Sequence, residues 1–219
     1  MVHPNNPTGS YIKPPEMAAL SELCAARGMA IIADEVFLDY PHDAAPRTSF
    51  VTNRRALTFT LSGLSKISGM PQMKFAWVAV SGPDELRSSA LSRLEIIADT
   101  YLSMSAPIQL AAPEFMRQRL TFQPELLARI RANLAELDAQ LAAQTVCSRL
   151  NVEGGWYAVL RVPVTRSDEE LAISVLESRG VLVHPGHFYD FHRDGYLVLS
   201  LITPAHEFAE GVRRVLACF

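Results

Sequence analysis

Residues 56–74 read ALTFTLSGLSKISGMPQMK, and the rest of the chain is organised around them. The first residues form an apolar, strand-like run that gives way at Ser62 and Gly63 to a Ser/Gly-rich loop holding Lys66. Of 20 basic residues only three are lysines, and two of those stand at 66 and 74. Arginine cannot replace lysine where a primary amine must lose its proton and attack a carbonyl. A lysine just past a strand is therefore a candidate Schiff-base former, set against the plain alternative of a solvated surface residue.

Working outward, MAIIADEV (29–36) reads as a short, buried parallel strand ended by two acids, and FAWVAVSG (75–82) as a third strand. PEMAALSELCAAR (15–27) has helical spacing and stops at Gly28. Helical patterns fill 83–120 and 124–144, with Pro124 suited to the first turn of the second. Beyond them RLNVEGG, WYAVLRVP, VLVHPG and GYLVLSLI read as short strands, with helices near 168–179 and 205–217. The expected architecture is α/β to residue 122, then a smaller α+β part over 123–219. In open α/β sheets ligand chemistry sits beyond the carboxyl ends of the strands, which singles out Asn6-Pro7-Thr8-Gly9, Asp34-Glu35 and the Lys66 loop.

Composition narrows the function classes. The 219 residues are 49% hydrophobic and 20% charged, with a net charge of −3, so neither a basic nucleic-acid surface nor an acidic tail is present. No apolar run approaches the ~20 residues of a membrane span, and no signal peptide is read ahead of Val2. Cys24, Cys147 and Cys218 are too few and too scattered for a disulfide framework or a zinc site, so a reducing cytoplasm is expected.

Asp34, at a strand end, reads either as a turn cap or as a carboxylate that pairs with a protonated ring nitrogen. Asn6 either shapes a turn or donates its amide to a ligand oxygen. Tyr157, Val159 and Arg161 alternate on a predicted strand and so share a face. His187, Tyr189 and His192 read as loop packing and Trp156 as core.

The order Asn-Pro-Thr-Gly, Asp-Glu-Val about 30 residues on, Ser-Lys, and a cation eight residues past the lysine resembles fold-type I pyridoxal-phosphate enzymes. More narrowly it resembles class I/II aminotransferases, and GGWY (154–157) and HPGHFYDF (184–191) are similar to the small domain of that family. The resemblance implies a partial large domain, with a mixed, mostly parallel sheet, over 1–122 and a small domain over 123–219. It implies pyridoxal 5'-phosphate as cofactor, amino acid and 2-oxo acid as substrates, a homodimer in the intact family member, and neither nucleic acid nor membrane as partner. Lys66 would bind the cofactor covalently and carry the substrate proton, while Asp34 would keep the pyridine nitrogen protonated. Asn6 would bond the ring's phenolic oxygen, Lys74 would stand for the usual phosphate-binding arginine, and Ser62 and Ser65 would offer hydroxyls. Three departures accompany the likeness: Gly63 replaces a serine, Phe37 replaces a tyrosine that donates to the phenolic oxygen, and Val198 replaces the arginine that clasps the substrate carboxylate. Tyr157 would line the substrate pocket and Arg161 could take over the lost clasp.

The same resemblance implies that a long region before the Asn-Pro turn, with its phosphate cup and ring-stacking aromatic, is missing. The chain is expected to be truncated, to bind cofactor weakly alone, and to leave a sheet edge and face uncovered. A lyase of the same fold and a non-catalytic ligand-sensing domain are the competing readings.

Overall fold

Ile31–Asp34 form strand β1, and Thr58–Gly63 form β2, which lies parallel to it with Asp34 opposite Leu61. Ala76–Ser81 form β3, antiparallel to β2, giving the order β1-β2-β3, while Val2 adds a parallel bridge at Asp34. The sheet is mixed, as the sequence suggested. The computed structural model describes residues 1–219 and divides them into two units. The first holds Met1–Pro4 and Tyr11–Gln123; the second holds Asn5–Ser10 and Pro124–Phe219.

In the first unit, helix α1 (Pro14–Ala26) starts where Lys13 donates its N–H to Glu16 at 2.7 Å, and it stops ahead of Gly28, which takes the left-handed φ of +62°. Its Met17 and Cys24 pack with Ile31, Ala33, Phe50 and Ala56 to make the core on one face of the sheet. Strand alternation sends Ile32, Phe59, Leu61, Val78 and Val80 to the other face. There Ile32 stays 58% exposed and Val78 42%, and the three between them are only half-buried. Helix α3 (Asp84–Asp99) has no fully buried side chain and leaves Leu86, Leu91, Ile96 and Ile97 in water. Helix α4 then runs from Ala106 to Ala142.

Three readings need correction. Pro124 does not open a helix; α4 runs through it. The proline lacks an N–H, so the helix forgoes one i→i−4 bond there, at the point where the units divide. Lys66 lies not in a loop but on a single helical turn, α2 (Leu64–Ile67), whose Leu64 carbonyl accepts the N–H groups of Ser68 and Met70. Residues 5–10, counted with the first part on sequence, pack with the second unit. Gly9 accepts the N–H of Glu153 at 3.3 Å, and a side chain at Gly9 would meet the Gly154 carbonyl.

The second unit is an antiparallel sheet in the order β4-β5-β7-β6, made of Ser148–Arg149, Tyr157–Arg161, Tyr196–Ser200 and His184–Pro185 for β4, β5, β7 and β6 respectively. Helix α5 (Asp168–Arg179) opens on a capping box between Ser167 and Glu170 and ends at Gly180 in left-handed conformation. Helix α6 (Ala205–Leu216) buries Phe208, Val212 and Val215, a stripe at helical spacing. The later part of α4 belongs here: Ile130 and Leu137 are fully buried, and Asn133 donates to the carbonyls of Leu201 and Thr203 at 2.9 and 2.8 Å.

Gly63 ends β2 with extended backbone, so conformation does not demand glycine there. Space does. A Cβ at that position would stand 2.8 Å from the Phe75 carbonyl oxygen and 3.0 Å from the Ala76 Cα. Gly63→Ala should therefore cost about 1–3 kcal/mol by overpacking, read from denaturant unfolding. An unchanged midpoint would show that β3 can retreat without loss.

Candidate active site

Because β1 and β2 are adjacent and parallel, their carboxyl ends open on the same side of the first unit. Asp34 closes β1, and Lys66 comes three residues after the last residue of β2. The main chain of Asp34 is tied on both sides: its carbonyl accepts from His3 N at 2.8 Å and its N–H donates to Met1 O at 3.0 Å. Its half-buried carboxylate accepts the Val36 N–H at 3.1 Å, the turn-cap contact.

From Asp34 the chain folds into two consecutive tight turns, with Leu38 N bonded to Glu35 O and Tyr40 N to Phe37 O, both at 3.0 Å. These turns aim two aromatics at Lys66. The Phe37 ring, itself buried, lies 5.5 Å from Lys66 Nζ, within range of a cation–aromatic attraction. The fully buried Tyr40 donates its hydroxyl to the Lys66 carbonyl oxygen at 2.5 Å. Ser65 sits half-buried beside Lys66 on α2, and Ser62 stands half-buried on β2 opposite Trp77. Lys74 is exposed, in left-handed backbone with φ 52°, after the short 3-10 turn Pro71–Met73.

The remaining candidates lie in the second unit. Asn6 is exposed on a turn closed by Gly9 N to Asn5 O at 2.8 Å and by the Thr8 hydroxyl to Asn5 Oδ1 at 2.8 Å. Tyr157 and Val159 join one cluster with Val198, Tyr189 and Phe191. Val198, opposite Val159 across β5 and β7, is packed as core. Arg161 ends β5 exposed, in register with Tyr196 and Ser148. Tyr189 pairs its hydroxyl with His184 Nδ1 at 2.9 Å, and Trp156 is buried.

Sequence reasoning passed over Tyr40, and it singled out Glu35 beside Asp34 without giving it a role. Glu35 is buried and accepts from Ser49 Oγ at 2.6 Å and Phe50 N at 2.7 Å, which fixes the chain that follows β1. Burial pushes its carboxyl above the ordinary 4.5, although the two hydrogen bonds pull the other way. The folded state then holds this proton more tightly than the unfolded state. The Glu35 contribution should accordingly fall as pH rises from about 4.5 through the folded pKa. Glu35→Gln should flatten that part of a stability–pH profile measured by thermal unfolding. An identical slope in both proteins would assign the fall to other groups.

The family model for aminotransferase class I and II matches residues 1–214. The valine–pyruvate aminotransferase of Mycobacterium tuberculosis is 29% identical over 97% of this chain, which covers 54% of that protein. An aminotransferase crystal structure from the same organism superimposes with a TM-score of 0.83 at 26% identity, over all of this chain and 56% of its own. The alanine aminotransferase of Pyrococcus furiosus gives a TM-score of 0.87 at 19% identity, over 98% of this chain and 55% of its own. The chain thus spans about half the length of the proteins it matches. With the strand-end carboxylate, the lysine turn and a match along nearly its whole length, this chain belongs to the aminotransferase class I and II family.

Proposed function

We propose that the chain holds pyridoxal 5'-phosphate through Lys66 and serves amino-group transfer between an amino acid and a 2-oxo acid. The observation that carries the reading is the placement of Asp34 and Lys66 at the carboxyl ends of adjacent parallel strands, with the Phe37 ring beside the amine. This donor set fits an aldehyde-bearing, cationic heteroaromatic ring: a carboxylate for its ring N–H, an amine for its aldehyde, and an aromatic surface near the amine. When bound, the cofactor supplies a conjugated ring able to accept the electron pair left at substrate Cα.

The chain's own residues do the rest. Asp34 is proposed to keep a proton on the ring nitrogen, with its carboxylate oriented by the Val36 N–H. Lys66 Nζ takes and returns the substrate Cα proton, as general base and then general acid. Lys74 offers the phosphate one point charge, weaker in geometry than a bidentate guanidinium, and Ser62 and Ser65 are proposed hydroxyl donors. Phe37 has no hydroxyl for the cofactor and contributes its ring face alone. Arg161 is proposed as the cation for the substrate carboxylate, since Val198 is apolar core. The working protein is proposed to be a cytoplasmic homodimer; no helix is long and apolar enough to cross a membrane.

Incubation with pyridoxal phosphate, borohydride reduction and peptide mapping tests the reading without needing turnover. The pyridoxyl group should be found on Lys66. A label confined to Lys13 or Lys74, or no saturable label, would overturn it.

A further inference from the structure

Lys66 rides on one turn of helix, α2, far below the length at which a helix holds itself together. Its carbonyls need partners from elsewhere. Two arrive from distant parts of the first unit, and the flanking Ser68 adds a third tie by donating outward. Gln123 Nε2 donates to the Ile67 carbonyl at 2.9 Å, and Ser68 Oγ donates to the Phe115 carbonyl at 3.0 Å. Tyr40 donates to the carbonyl of Lys66 itself at 2.5 Å, the shortest of the three, where Gly69 N also donates at 3.3 Å. Tyr40 is 26 residues away in sequence and fully buried, so its hydroxyl cannot exchange this acceptor for bulk water.

Tyr40 also shares a turn with Phe37, closed by Tyr40 N to Phe37 O. One four-residue segment therefore holds both ends of the lysine: Tyr40 takes the main-chain carbonyl and Phe37 lies beside Nζ. We propose that Tyr40 is a positioning residue for Lys66, fixing the root of the side chain so that its amine stands over Phe37 on the Asp34 side of the sheet. This inference rests on Lys66 being the reactive amine. Burial and the neighbouring Asp39 push the Tyr40 phenol well above its ordinary pKa, so it stays a donor at all working pH values.

Competitive acetylation of the full chain with trace acetic anhydride tests the idea, with Lys13 as internal reference and the modified peptides quantified by mass. Tyr40→Phe keeps the ring and deletes the hydroxyl. Gln123→Met is the control, since it removes a hydrogen bond to the same helical turn but not to Lys66. In Tyr40→Phe the Lys66-to-Lys13 reactivity ratio should move by about threefold towards unity, as the amine leaves its place over the ring. In Gln123→Met the ratio should hold. An unchanged ratio in Tyr40→Phe, or equal shifts in both variants, would make Tyr40 ordinary core and overturn the proposal. Should Tyr40→Phe fail to fold, Phe37→Leu replaces it; a ratio indistinguishable from wild type there would equally refute the two-ended hold. Failure to trap pyridoxal phosphate on Lys66 is a separate result: it removes the cofactor assignment and leaves the acetylation ratios to judge Tyr40.

Discussion

Lys66→Arg is expected to abolish borohydride-stable labelling by pyridoxal phosphate at position 66 and to lower any transamination by at least about a thousandfold. Arginine preserves the positive charge and nearly the reach, and it can still lie beside the Phe37 ring, now 5.5 Å from Nζ. What it lacks is a nitrogen that can give up its proton near neutral pH, so it can neither bond to an aldehyde carbon nor act as a base toward Cα. Folding should be little affected, because Tyr40 and Gln123 hold α2 through its backbone carbonyls. Thermal unfolding and peptide mapping on the same preparations separate the two effects. Full labelling or turnover in Lys66→Arg would place the chemistry on another lysine.

The second large effect is structural and belongs to the second unit. Asp168, at the first position of α5 and only 1% exposed, gathers three backbone donors from another part of the sequence. Gly195 N lies 2.6 Å from Oδ1, Tyr196 N reaches both oxygens at 3.1 and 3.2 Å, and Gly186 N lies 3.3 Å from Oδ2. Asp168→Ala would leave these N–H groups buried without an acceptor, each costing roughly 1–3 kcal/mol. Relaxation and entering water recover part of that, leaving about 4 kcal/mol, enough to unfold a marginal unit. Asp168→Asn keeps one acceptor oxygen and should fall between the two. Equilibrium urea unfolding in a Trp77→Phe background, followed by Trp156 fluorescence, reads the result, since that ring is buried in the same unit. A loss below about 1 kcal/mol would mean the loop finds other acceptors.

Much of the molecule could be read from residue order, and the exceptions have physical causes. β1 and β2 announced themselves as apolar runs, and α5 and α6 as helical spacing between turns, because burial imposes those periods directly. The four residues of α2 are too few to show a period, so Lys66 looked like part of a loop. Pro124 misled because intrinsic preference favours a helix start there, whereas α4 is held on both sides of it, by Phe115 and Gln123 before and by Ile130, Asn133 and Leu137 after. Asp34 and Lys66 stood out in the sequence because chemistry restricts the residue type, and the structure sets them at the carboxyl ends of neighbouring parallel strands. Tyr40 did not stand out: a tyrosine in DEVFLDY gives no sign that its hydroxyl serves a carbonyl 26 residues away. Val198 shows the opposite case. The missing arginine was noticed, but only the structure shows a side chain closed into core with Tyr157 and Tyr189.

The half-bare sheet bears on the chain's fate in a cell. A parallel strand is normally covered on both faces, yet Ile32 of β1 looks out on water, as does Val78 of the antiparallel β3, next to a helix with no fully buried side chain. To a chaperone or protease such a surface resembles a chain caught before it has finished folding, and triage acts on exposure irrespective of how well the rest is packed. The lifetime of this protein should then depend on how much of that face is out of water, more than on the strength of its two cores.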